Sequence, residues 1–110
     1  MIRRILANCT VTDLPRAEHW YSQVFDCQPD ARPMPGLIEW HLGESFGVQV
    51  WSDPDRAGKC TVVLEETDLD HATARLTAVG ISHDGPVSGG GARILQLTDP
   101  DGNRVVLAGS

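Results

Sequence analysis

The stretch Asp99-Pro100-Asp101-Gly102-Asn103 separates two apolar segments near the end of the chain. Asp at the first position of a four-residue turn, Pro at the second and Gly at the fourth favour a type I β-turn. The flanking segments, residues 92–98 and 103–108, are rich in Val, Leu and Ile, as strands are. The sequence therefore predicts a strand-turn-strand unit here.

An internal repeat extends this prediction to the whole chain. A shift of 55 residues aligns Thr12-Asp13-Leu14 with Thr67-Asp68-Leu69, and it also aligns Ala17 with Ala72 and Val24 with Val79. Each copy begins with a β-like segment, residues 5–11 or 60–64. Asp13 and Asp68 then suit the N-cap of a helix, because an Asp carboxylate accepts hydrogen bonds from the free N–H groups of the first turn.

Each copy is predicted to fold as a β-α-β-β-β module. Apolar residues follow both caps at spacings of three and four, which indicates one buried stripe on each helix. Further β-like segments come next, at 37–42 and 46–51 in the first copy, although the strand before them is weakly marked. We assign residues 1–110 to a single domain, with module one at about 1–55 and module two at about 56–110.

Composition and charge limit the possible partners. The chain of 110 residues carries 9 basic and 15 acidic side chains and has a net charge of −6, without a Lys/Arg cluster that could follow phosphates. We therefore expect no nucleic-acid partner. No apolar run approaches the length of a membrane span, and the N-terminus lacks a secretory signal, so we expect no membrane association and a cytoplasmic location. The three cysteines are interpreted as reduced thiols.

The hairpin at residues 37–51 places two kinds of side chain on its two faces. Strand alternation puts one set on the face that packs against a helix: Ile38, Trp40, Leu42, Phe46, Val48 and Val50. The opposite face presents Glu39, His41, Gln49 and Trp51, and Gly47 leaves a gap for a ligand there. A solvent-exposed sheet face shows the same alternation, so the pattern alone does not separate a binding site from surface.

These motifs resemble the vicinal oxygen chelate superfamily, which includes glyoxalases, bleomycin resistance proteins and extradiol dioxygenases. The resemblance rests on Val11-Thr12-Asp13-Leu14, Trp20-Tyr21, Asp68-Leu69-Asp70 and the turn at 99–103, and it covers almost the whole chain. It implies an α+β fold in which two βαβββ modules, in a pseudo-twofold arrangement, form a curled mixed sheet around a cavity. It also implies a homodimer.

The resemblance implies four metal-ligand positions, which here hold Leu6, Gln49, Thr61 and Val106. Leu and Val have no donor atom, Thr has a weak neutral hydroxyl, and a single amide oxygen does not hold a divalent ion. We therefore expect no metal and no cofactor. A relocated metal site built from Glu39, His41 and Gln49 is a lower-ranked alternative.

The favoured function is binding of a small molecule without a metal, as in the bleomycin resistance branch, where an antibiotic or another aromatic metabolite is sequestered. Trp51 offers a flat surface for stacking, whereas alternation assigns Trp40 to the core, and Trp20 anchors the first helix. The proposed ligand-binding residues are Arg4, Leu6, Asn8, Glu39, His41, Gln49, Trp51, Thr61 and Val106.

Two enzyme functions rank below binding. The first is a metal-independent isomerase or lyase acting on a small carbonyl or polyketide-like compound, with His41 or Glu39 as general base, because residues two apart on a strand share one face. The second is a metal-dependent glyoxalase or dioxygenase, which the absent ligand types disfavour. We assign no catalytic residue beyond the candidates His41 and Glu39.

Overall fold

The computed structural model describes residues 1–109 and confirms the predicted α+β fold of two βαβββ modules. The elements in chain order are β1 (Ile5–Val11), α1 (Leu14–Phe25), β2 (Ala31–Met34), β3 (Leu37–Trp40), β4 (Phe46–Ser52), β5 (Thr61–Glu65), α2 (Leu69–Ala78), β6 (Val87–Gly89), β7 (Ala92–Thr98) and β8 (Arg104–Gly109). For the six strands whose bounds were predicted, the observed boundaries lie within two residues of the predicted ones.

The strands form two four-stranded mixed sheets with the same topology. The order is β1-β4-β3-β2 in module one and β5-β8-β7-β6 in module two. In each sheet the first strand pairs in parallel with the last, and the other pairs are antiparallel. The edge strands β1 and β5 contact each other, so the two sheets lie next to each other along these strands.

Both helices begin at the predicted Asp residues. The Asp13 carboxylate accepts from the Arg16 backbone N–H at 3.1 Å, and that of Asp68 accepts from the His71 N–H at 3.0 Å. Gly80 follows α2 with a φ of +83°, a left-handed conformation that Gly adopts at low cost after a helix end. No helix in the part of the chain described, residues 1–109, is long and apolar enough to cross a membrane.

The buried residues form one core that includes side chains of both modules. Ile38, Trp40, Val48 and Val50 are buried as the alternation predicts. The prediction is wrong for Phe46, which is 50% exposed. The reason is that β3 ends at Trp40, whose partner on β4 is Val48, so Phe46 at the start of β4 lies beyond the β3–β4 pairing.

A hydrogen-bonded junction joins the two modules at the turn after β7. The Asp99 carboxylate accepts from the Tyr21 hydroxyl at 2.7 Å and from the Asn103 side-chain amide at 2.8 Å. The same amide donates to the Thr10 carbonyl at 2.7 Å, and the Asn103 Oδ1 accepts from the Cys60 N–H at 2.9 Å. Asp99 and Asn103 are both buried. Because buried polar groups are costly without partners, this junction fixes β1 and α1 against module two.

Candidate functional site

A row of polar side chains crosses the sheet of module one on the face opposite the helix. Asn8 on β1 is directly opposite Gln49 on β4, which is in turn opposite Glu39 on β3. Directly opposite residues point to the same side of a sheet, so their side chains are neighbours. His41, two residues beyond Glu39, continues this line, and we call these four residues the polar row.

Hydrogen bonds connect the polar row from one end to the other. The Asn8 amide donates to Gln49 Oε1 at 2.8 Å, and the Gln49 amide donates to Glu39 Oε2 at 2.9 Å. The other Glu39 oxygen lies 3.0 Å from His41 Nε2, where the carboxylate accepts when that nitrogen carries the proton. Each side chain therefore fixes the orientation of the next.

Glu39 is the most buried residue of the polar row. The residue is 9% exposed, and both carboxylate oxygens have hydrogen-bond partners, as a buried charge requires. Arg4 Nη1 lies 3.4 Å from His41 Nε2 and adds a positive charge at this end. The sequence analysis missed Asp30, whose carboxylate accepts from the His41 backbone N–H at 2.7 Å. No residue pattern around Asp30 indicated this contact.

Trp51 and Leu6 lie on the same face as the polar row. Trp51 is two residues beyond Gln49 on β4 and is partly exposed, and in the described residues its indole N–H donates no hydrogen bond. Leu6 is opposite Gly47. The predicted gap at Gly47 is absent, because a Cβ there would come within 2.3 Å of the Trp40 carbonyl oxygen and 2.9 Å of Leu6 Cδ2. Gly47 is needed for close strand packing.

The structure does not bring all the predicted site residues together. Arg4, Leu6 and Trp51 accompany the polar row on module one, whereas Thr61 and Val106 lie on β5 and β8 of the second sheet. Thr61 is exposed and Val106 is partly exposed. A single chain therefore presents these two groups of residues on separate sheets.

The residues at the implied metal positions do not fit a metal ion. Leu6 and Val106 supply no donor atom, and the Gln49 amide oxygen accepts from Asn8. The relocated set does not fit an ion either, because Gln49 turns its amide nitrogen toward Glu39 and its oxygen toward Asn8. In residues 1–109 no group of three His, Cys, Asp or Glu side chains is arranged to hold a metal ion.

A cavity of about 620 Å³ lies away from the polar row, at the boundary between the two sheets. We call it the inter-sheet cleft. Its lining comes from β1, the end of α1, the start of β4, β5 and α2, and it contains none of the polar-row residues. Sequence reasoning did not find it, because it depends on how strands and helices of the two modules pack in the folded chain.

Comparison with known proteins identifies the fold. No family model matches the sequence, and no curated protein matches it. Among solved structures, a glyoxalase/bleomycin resistance protein from Catenulispora acidiphila DSM 44928 has a TM-score of 0.90 and 23% sequence identity, over 97% of both chains. The chain therefore has the fold of glyoxalase and bleomycin resistance proteins, as the sequence motifs indicated.

Two further neighbours are described as binding proteins. TnmS3, an antibiotic-binding protein from Streptomyces sp. CB03234, has a TM-score of 0.83 and 23% identity, over 99% of this chain and 96% of that one. A bleomycin-binding protein solved in complex with bleomycin has a TM-score of 0.82 and 18% identity, over 97% and 98%. At these identities the likeness establishes the fold only.

Proposed function

We propose that this protein binds a small aromatic molecule without a metal, on the helix-free face of module one, and that it sequesters an antibiotic or another aromatic metabolite in the cytoplasm. The observation that supports the proposal most directly is the hydrogen-bonded polar row beside Trp51. It combines oriented polar groups with an aromatic surface, which is the composition of small-molecule sites.

The two parts of this face have different tasks in the proposal. Trp51 gives stacking area and an indole N–H to which no residue among 1–109 offers an acceptor. An aromatic contact of this kind contributes about 0.5–1.5 kcal/mol beyond the area it buries. The polar row gives direction, because each of its side chains is held by a neighbour before the ligand arrives. Pre-oriented groups lose little freedom on binding, which favours affinity.

The fold neighbours are consistent with this proposal. TnmS3 binds an antibiotic and another neighbour was solved with bleomycin, so proteins of this shape bind drugs. We extend small-molecule binding to this chain on the basis of its own site residues. The ligand itself is not specified by the fold, since similar folds host many ligands.

We also propose that the protein acts as a homodimer. Val87, a large apolar side chain, is 56% exposed on module two, and Val106 is partly exposed there, so a second copy would cover both. A dimer in which module two of the partner faces the polar row would add Thr61 and Val106 to the site. Light scattering coupled to size-exclusion chromatography tests this, and a monomer at micromolar concentration contradicts it.

A metal-independent isomerase or lyase is the second candidate function. The 3.0 Å contact between His41 and Glu39 favours it, because a carboxylate that orients an imidazole supports general base catalysis. Binding ranks first because the described residues of the row include no nucleophile and both Glu39 oxygens are already bonded. A metal-dependent glyoxalase or dioxygenase ranks third, since the donor set does not fit an ion.

Tryptophan fluorescence tests the proposed function. Purified protein is titrated with a panel of antibiotics and small aromatic metabolites, the recovered ligand is analysed by mass spectrometry, and the metal content is measured. We expect micromolar quenching by at least one compound, which is recovered intact, with no stoichiometric metal. A chemically altered ligand would support the enzyme alternatives, and a tightly bound metal would contradict metal independence.

Matched variants locate the quenching on the proposed face. Trp51→Ala should weaken binding by about tenfold, a loss of about 1.4 kcal/mol, because the stacking surface is removed. Trp20→Phe is the control, since Trp20 lies on α1 and contacts Tyr21 at a ring distance of 4.8 Å. Equal affinity of Trp51→Ala and wild type would exclude Trp51 from the site.

A further inference from the structure

The inter-sheet cleft is an apolar cavity between the two modules. At the junction, Asn103 bonds to the Thr10 carbonyl of β1 and to the Cys60 N–H just before β5, whereas farther along residues of both strands line a cavity. The resulting space of about 620 Å³ is large enough for a drug-sized molecule. Ala7, Val62, Leu64 and Leu107 are among the apolar side chains that line it.

The rim of the cleft carries an unusual concentration of exposed apolar side chains. Ile5 is 73% exposed, and Phe46 and Val63 are also exposed to about half or more of their surface. All three line the cleft, although they come from three different strands. Exposed apolar groups gathered at one cavity mark a binding surface, whereas isolated ones carry no such meaning.

The charges at the cleft favour a cation. Glu65 and Glu66 lie at its edge, and Arg75 is the basic residue of its lining. The Arg75 guanidinium is already engaged, because Nη1 and Nη2 donate to the carbonyls of Gln23 and Val24 at 2.7 Å each. These carbonyls belong to the last turn of α1, where Arg75 offsets the partial negative charge of the helix end. Glu66 Oε1 accepts from the Asp68 backbone N–H at 3.2 Å, which leaves its negative charge in place. Two carboxylates against one guanidinium give the lining a net negative charge.

We propose that the inter-sheet cleft is a second binding site, for an amphiphilic organic cation with an apolar body and a positive charge at its edge. The body occupies the cavity between Ala7, Val62 and Leu64, and the charge lies toward Glu65 and Glu66. This site is independent of the polar row, because the two share no residues and the row lies on the helix-free face of the sheet. A failure to find binding in the cleft would therefore leave the proposed function unaffected, and the converse also holds.

Two ions of nearly equal size and shape but opposite charge give the sharpest test. Tetraphenylphosphonium and tetraphenylborate are titrated into the wild-type protein by calorimetry in sodium buffer. We expect the phosphonium to bind and the borate to bind at least tenfold more weakly. Equal binding of the two ions overturns the charge argument. Absence of phosphonium binding overturns the site, and this outcome includes the case in which a second copy of the chain fills the cleft.

Variants separate the cavity from the general acidity of the surface. Ala7→Phe fills the cleft and should abolish phosphonium binding. The surface double variant Glu65→Gln with Glu66→Gln should fold normally and weaken phosphonium binding about fivefold, as expected for partly exposed charges. Glu44→Gln, an exposed acidic position outside the cleft lining, is the matched control and should bind as wild type does.

The same titrations distinguish the two sites. Trp51→Ala should leave phosphonium binding unchanged while it weakens the antibiotic or metabolite found by fluorescence quenching. If Trp51→Ala removes phosphonium binding, or if the double Gln variant and the Glu44→Gln control bind equally well, the cation does not occupy the cleft and the proposal is wrong.

Discussion

Modules one and two share a fold but differ in the side chains on their helix-free faces. Strand register places Val63, Val106 and Gln96 in module two where module one has Asn8, Gln49 and Glu39. Two valines therefore replace two amides, and a connected row of hydrogen bonds cannot form. The difference shows that a repeated backbone does not repeat the side chains on its face, since the polar row is present in module one alone of the two.

The turns before the last strands of the two modules differ in the opposite sense. In module two, Asp99 at the start of the turn is buried and accepts from the Tyr21 hydroxyl on α1. In module one, Glu44 and Ser45 are exposed, and the hydrogen bonds described for residues 41–45 stay within that module. The turn of module two thus links the two modules through hydrogen bonds. The corresponding turn of module one is exposed and lies beside the cleft.

The largest expected effect comes from breaking the buried turn. Asp99→Ala removes the acceptor of four hydrogen bonds, from Tyr21, Asp101, Asn103 N–H and the Asn103 amide. We expect a loss of about 3–5 kcal/mol in the free energy of unfolding, because buried donors lose their partner. Glu44→Ala in the turn of module one is the control and should stay within about 0.5 kcal/mol of wild type. Urea denaturation measures both, and equal losses would contradict the contrast between the turns.

Alkaline pH should lower the free energy of unfolding, because Cys9 and Tyr21 are buried in module one next to the junction. Burial raises the pKa of the Cys9 thiol to about 11 from an ordinary value of 9.0. Burial also raises the pKa of Tyr21, and the nearby Cys9 and Asp99 raise it further. Above pH 9 the unfolded chain releases the thiol proton while the folded chain keeps it. The stability is therefore complete below pH 9 and falls as the pH rises toward 11, by at most about 1.4 kcal/mol per pH unit from Cys9.

Urea unfolding at pH 8, 9, 10 and 11 measures this dependence. Cys9→Ala is the matched control, because it removes the thiol but leaves the Tyr21 hydroxyl in place. We expect the variant to lose less stability than wild type between pH 9 and 11. Parallel curves for the two proteins would show that Cys9 does not carry the effect.

The smallest effect on stability is expected from making module one resemble module two. Gln49→Val introduces the residue that β8 has at the corresponding position, Val106. Gln49 is partly exposed, so water can replace its bond to Asn8, but the buried Glu39 loses one partner, and the unfolding free energy should fall by about 1–2 kcal/mol. Binding of the quenching ligand should nevertheless be lost, because the row is interrupted. Unchanged binding would show that the row does not orient the ligand.

The sequence predicted the features that depend on local rules. Asp13 and Asp68 are helix caps as expected, and strand alternation placed Glu39 and Gln49 on one face and Trp40 in the core. The features it missed depend on contacts between distant segments. Neither the bond from His41 N–H to Asp30 nor the inter-sheet cleft has a signature in the spacing of residues, since each arises from packing of the folded chain.

Fluorine NMR of protein labelled with 5-fluorotryptophan tests the central claim, that the ligand occupies the helix-free face of module one. The chain has three Trp residues, of which Trp40 is fully buried and Trp20 lies on α1. On addition of the quenching ligand, we expect the resonance of Trp51 to shift most while that of Trp20 stays in place. An unmoved Trp51 resonance together with a shifted Trp20 resonance would place the ligand on the helix side and contradict the account.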